Sequence, residues 1–94
     1  MPVYLITWDL NKEKLNYNEA RKRFFERLDK YDHIKDPDLD SVVFISSNIE
    51  LYKIADDLLK VMDKDDRVII TKLNTNQYAG RLLTKVVNWI ESRV

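Results

Sequence analysis

Val3-Tyr4-Leu5-Ile6-Thr7-Trp8-Asp9 is apolar at both odd and even positions until it reaches its closing carboxylate. A strand with one wet face alternates apolar and polar residues, whereas this pattern belongs to a central strand covered on both sides. Leu10 and a polar loop, Asn11 to Leu15, follow it. Asp9 has two readings. A lone carboxylate at a strand end can present a metal ligand or general base at a sheet edge, and Asp also ends strands simply because it favours turns and caps.

Beyond the loop, Asn16 with Glu19 has the form of a capping box. Tyr17, Ala20, Phe24, Leu28 and Tyr31 then recur at helical spacing, which predicts an amphipathic helix. Asp36-Pro37-Asp38 is turn material. It separates a short strand around Ile34 from a β-branched strand, Ser41 to Ser46. Ser47 with Glu50 forms a second capping box, and Leu51, Ile54, Ala55, Leu58, Leu59 and Met62 make the apolar stripe of a second helix. A charged turn, Asp63 to Asp66, leads into the strand Arg67 to Leu73. After a polar loop, Leu82, Leu83, Val86, Val87, Ile90 and Val94 predict a third helix from about Tyr78 or Ala79 to the end.

The expected fold is therefore α+β: a ferredoxin-like βαββαβ sandwich with an extra C-terminal helix, forming a single domain over residues 1–94. Two right-handed crossovers would place the first two helices on one sheet face, with the first and third strands central. The other face needs a cover, and the third helix and a partner subunit are the candidates. Such a fold hosts many activities, so function has to come from a site.

Composition narrows the chemistry. Lys plus Arg number 16 and so do Asp plus Glu, so no strong overall field for nucleic acid is expected and any attraction must be local. The absence of cysteine removes disulfides, thiolate zinc sites and a cysteine nucleophile, and fits a reducing compartment. With one His, His33, a metal would be held by oxygen ligands, which favours magnesium, manganese or calcium. No apolar run approaches bilayer length, and a cytoplasmic protein without a membrane anchor is expected.

At this point the order of motifs resembles a family. Trp8-Asp9 ends the first strand and Arg21-Lys22-Arg23-Phe24 makes the first helix basic. Ser41-Val42-Val43-Phe44 and the acidic turn into Arg67-Val68-Ile69-Ile70 follow in order. Over residues 3 to 73 this is similar to the small CRISPR-associated adaptation protein and endonuclease, the second of the Cas series, whose wider group includes the virulence-associated protein D toxins. Asp9-Leu10-Asn11-Lys12 and Tyr78-Ala79-Gly80 also resemble small bacterial proteins with no assigned activity.

The nuclease resemblance implies a homodimer in which two copies of Asp9 face each other and hold magnesium or manganese for cleavage of RNA or DNA. It makes Asp9 the catalytic and metal residue, with Arg21, Lys22, Arg23 and Arg27 as the nucleic-acid-binding candidates. The chain departs from the family pattern in its helical C-terminal stretch, in Trp8 where Tyr is usual, and in its neutrality. A non-catalytic dimeric interaction or regulatory module of the same fold is the alternative.

Other groups have simpler readings beside the chemical ones. The first helix can be a phosphate-tracking patch or a solvated face paired as Glu19–Arg23 and Glu26–Lys30. Asp36, Asp38 and Asp40 lack the glycine and distal glutamate of a calcium loop and read as turn residues. His33 can be a general base or a solvated helix end. Ser46 and Ser47 have no acid–base partner in sequence. Trp89 and Phe25 lie partly outside the stripes and fit a core or a dimer patch.

Overall fold

The structure, a computed structural model, describes all residues 1–94. The elements run β1 (Val3–Asp9), α1 (Tyr17–Leu28), β2 (Asp32–Ile34), β3 (Val42–Ser46), α2 (Leu51–Leu59), β4 (Arg67–Leu73) and α3 (Thr84–Glu91). The four strands form one antiparallel sheet in the order β2-β3-β1-β4, so β1 and β3 are central as expected. The short strand paired across the Asp-Pro turn is present: Asp32, His33 and Ile34 stand opposite Ser46, Ile45 and Phe44. No helix is long and apolar enough to cross a membrane.

Alternation along β1 splits its side chains between two cores. Tyr4, Ile6 and Trp8 join Phe24 and Leu28 of α1, Val43 and Ile45 of β3, and Ile54 and Leu58 of α2. Trp8 packs edge-on against Phe25 at 5.5 Å and tilted against Phe24 at 5.0 Å, geometries that aromatic quadrupoles favour. Val3 faces the other way, into a smaller core with Phe44, Leu73, Val86 and Ile90. The third helix is thus the cover of the second face, and Trp89 is half-buried beside that core under the Arg93 guanidinium, 4.1 Å from its ring. Phe25 and Trp89, which the helical stripes left over, both have packing partners.

Several local expectations need correction. α3 begins at Thr84 and not near Tyr78, and Leu83 is 42% exposed instead of buried. Gly80 weakens helix propensity there, and the Leu83 N–H donates to Asp36 Oδ2 at 2.9 Å, fixing Leu83 as the non-helical residue before the helix. Neither capping box forms. Asn16 makes no side-chain cap bond, and Glu50, not Ser47, precedes α2. Ser47 Oγ instead accepts the Ile49 N–H at 3.0 Å, a local turn that competes with the cap. α1 ends at Leu28 before reaching Tyr31, and α2 ends at Leu59, which is 51% exposed, before reaching Met62. Tyr31 and Met62 still pack against the main core from the turns that follow.

Two bonds tie α3 down. Asp36, buried in the β2–β3 connection, accepts from Leu83 and also from the Asp38 N–H at 3.0 Å. These bonds, the Leu83 one first, hold its carboxyl below the usual range. At the other end, Arg93 Nε lies 3.2 Å from Asp32 Oδ2.

Ile90 is 1% exposed, so Ile90→Ala should cost about 3 kcal/mol in urea unfolding. Leu83→Ala should cost no more than about 0.5 kcal/mol. Equal losses would contradict the second core. Ser46 Oγ is buried with no hydrogen-bond partner. Ser46→Ala should therefore leave stability unchanged or raise it by up to about 1 kcal/mol, because an unsatisfied hydroxyl is removed. A clear loss in the same assay would show that the hydroxyl is satisfied.

Candidate functional site

Asp9 closes β1 as its one exposed residue. By strand alternation it shares the second sheet face with Val3, Leu5 and Thr7. α3 covers the Val3 end of that face and leaves the Asp9 end bare. On neighbouring β4, Ile69 stands opposite Thr7 and is 66% exposed, and Arg67 stands opposite Asp9. The Arg67 guanidinium turns away from Asp9 and donates to the Lys64 and Asp66 carbonyls at 2.9 and 3.0 Å. Asp9 itself makes no ion pair within the chain.

The loop after Asp9 is held by a residue whose role the sequence did not reveal. Asp66, with 1% of its side chain exposed, accepts the Asn11 N–H at 2.8 Å and the Lys14 ammonium at 2.7 and 2.8 Å on its two oxygens. It also accepts the Asp63 N–H at 2.8 Å. Lys14 bonds Asp63 as well, at 2.9 Å. Burial pushes the Asp66 carboxyl up, but Lys14 and the two backbone donors outweigh it and hold it below the usual range. Burial likewise pushes Lys14 down, and the two aspartates reverse that and hold it above its usual value. In sequence, Lys14 stood in an unremarkable polar loop and Asp66 in a run of turn acids; only the fold joins them.

The four basic candidates of α1 separate. Arg27 is half-buried and bonds Asp57 at 2.8 Å, where the Tyr31 hydroxyl also donates at 2.7 Å. Burial, followed by Asp57, pushes the Tyr31 phenol up to about 12. Arg27 therefore ties α1 to α2. Arg21, Lys22 and Arg23 face solvent. Arg21 lies 4.6 Å from the Phe25 ring centroid. Lys22 approaches Glu26 at 3.9 Å, in place of the expected Glu19–Arg23 and Glu26–Lys30 pairs. Lys35, just past β2, is half-buried: its ammonium lies 5.8 Å from the Trp8 ring and donates to the Leu39 and Val42 carbonyls, and burial above all holds it below its usual value.

His33 lies in β2, not at a helix end, and is exposed; its Nδ1 lies 2.8 Å from the Tyr31 carbonyl and its Nε2 3.5 Å from Asp29, just past α1. No group of three His, Cys, Asp or Glu side chains in the chain could hold a metal ion, so one copy of Asp9 does not complete a metal site.

No protein family matches the chain by sequence, and no curated protein does. Among solved structures, the crystal structure of Streptococcus pyogenes Cas2 at pH 6.5 matches with a TM-score of 0.61. The fold is Cas2-like. The match covers 83% of this chain and 99% of that one at 20% identity, so the likeness is one of fold. Nothing in the comparisons supports the virulence-associated protein D relatives.

The Asp66 clamp makes a definite prediction. Its depressed pKa means that its contribution is complete above the unfolded value of about 3.9 and is lost as pH falls through the folded value. The raised pKa of Lys14 places the opposite loss at alkaline pH, above its ordinary 10.5. Asp66→Asn should cost about 3 kcal/mol, flatten the acid arm of the stability curve, and speed amide exchange at Asn11. An unchanged acid arm would show that the clamp contributes nothing.

Proposed function

We propose that this protein is a nucleic-acid-binding homodimer that cleaves phosphodiesters with a divalent metal, with Asp9 as metal ligand and catalytic residue. The observation that carries the reading is the carboxylate of Asp9: exposed and unpaired, at the end of a central strand, on the bare half of a sheet face. Two such faces brought together would oppose two Asp9 carboxylates, and a paired set of oxygen donors suits magnesium or manganese. A metal bound there would neutralise phosphodiester charge and activate water. The Cas2-like fold supports the reading at the level of architecture.

The remaining groups have defined parts in it. Arg21, Lys22 and Arg23 offer solvent-facing cations for phosphates. Arg27 contributes to packing through Asp57 and only indirectly to binding. Asp66 and Lys14 hold the loop that leaves Asp9 and so act as positioning residues. The second reading, a non-catalytic dimeric interaction or regulatory module, is favoured by the exposed Ile69 on the same bare half of the sheet face.

Labelled single-stranded RNA and double-stranded DNA, incubated with magnesium or manganese and separately with chelator, separate the two readings. Cleavage should require the metal and should be abolished by Asp9→Asn with fold and dimer intact, since the amide keeps the shape and loses the charge. If Asp9 only ends the strand, the substitution should change stability by about 1 kcal/mol or less and leave cleavage unaltered. No cleavage by the wild type under any condition would favour the interaction module.

A further inference from the structure

The segment between β4 and α3 arches away from the sheet and leaves a groove of about 530 Å³ beneath it. Leu5, Val42, Phe44 and Leu73 form the floor, and Val87 lines the α3 wall. A cavity of this size with an apolar lining and a few polar groups at its edge is the usual form of a small-ligand site.

The edge carries three kinds of polar group, and all are free. Tyr78 to Leu82 form neither helix nor strand, and none of their backbone N–H or C=O groups bonds another group of the chain. The segment is fixed all the same, because the Leu83 N–H that follows it is held by buried Asp36. Arg81 on this segment and Glu91, the last residue of α3, are both exposed and form no ion pair. Glu91 stands where the helix dipole disfavours a carboxylate, and no basic residue in the last turn of α3 offsets it.

The two charges stand at opposite ends of the groove wall. Arg81 lies just before α3 begins and Glu91 closes it, and the eight residues of α3 span about 12 Å. An extended peptide advances about 3.3–3.6 Å per residue, so roughly three residues cover that length. A ligand that fits must be apolar along its body, anionic at the Arg81 end and cationic at the Glu91 end. It must also offer backbone groups to the free N–H and C=O groups of Tyr78 to Leu82.

We propose that the groove binds a short apolar peptide, about three residues long, with its terminal carboxylate at Arg81 and its terminal ammonium at Glu91. Main-chain bonds to an unpaired segment supply affinity in this mode, apolar side chains fill the floor, and the two termini set direction and length. The site uses no chemistry at Asp9 and needs no second copy of the chain.

Titration of the isotopically labelled full chain with trileucine, followed by amide NMR shifts, tests it. Shifts should concentrate at Tyr78 to Leu82, Leu5 and Phe44 and saturate at one peptide per chain. N-acetyl-trileucine and trileucine amide should each bind about threefold to fivefold more weakly, since each removes one charged end. Triglycine should not bind. Glu91→Gln should erase the penalty of acetylation and keep that of amidation, and Arg81→Gln should do the reverse. The spectrum itself reports the fold of each variant, and the capped peptides test both charges on the wild type if a variant does not fold.

Shifts that are absent or lie away from the groove would overturn the proposal. So would equal affinity for free and capped trileucine, binding of triglycine as tight as that of trileucine, or variants that leave both penalties in place.

Discussion

A strand that is apolar on both faces cannot be stabilised by one covering layer. Val3 and Ile6 of β1 are both fully buried, and they face opposite ways. α1 and α2 satisfy the Ile6 side with a core that runs from Tyr4 to Leu10. The Val3 side is satisfied by α3, whose Val86 and Ile90 are as buried as any residue of the main core. α3 spans only eight residues, about 12 Å of helix, and β1 is longer than that. The cover therefore ends before the strand does. The groove, the exposed Ile69 and the free Asp9 all follow from that difference in length.

The acidic residues near this region divide by what they bond. Asp36 and Asp66 are both buried, and both are filled with donors from segments distant in sequence. The first fixes where α3 starts, and the second fixes the path of the chain just after Asp9. Asp57 collects Arg27 and Tyr31 between the two helices. Asp9 has no such partner. A carboxylate with no partner in its own chain is available to a ligand or a second subunit.

Much of the fold was legible because period and β-branching are local signals. The two-sided apolarity of Val3 to Trp8 placed β1 at the centre, and the Asp36-Pro37-Asp38 turn gave the β2–β3 pairing. Helix ends were not legible, because competing side-chain bonds decide them. Ser47 bonds Ile49 where a cap was expected, and Asp36 takes the N–H of Leu83 from across the fold. The clamp on Asp66 was illegible for the same reason, since Lys14 and Asp66 are 52 positions apart and each looks ordinary alone. Asp9 was legible as a strand end; its lack of any partner required the coordinates of every neighbour.

The face opposite α1 and α2 is closed by α3 at one end, and its other end is the surface that the proposed homodimer would cover. Hydroxyl-radical footprinting across a dilution series tests it directly. Ile69 and Leu39 should be labelled at high dilution and protected as concentration rises, while Val86 and Ile90 should be protected throughout. Tyr52, 72% exposed on α2, should be labelled at every concentration. Labelling of Ile69 that does not depend on concentration, or labelling of Ile90 in the folded protein, would contradict the account.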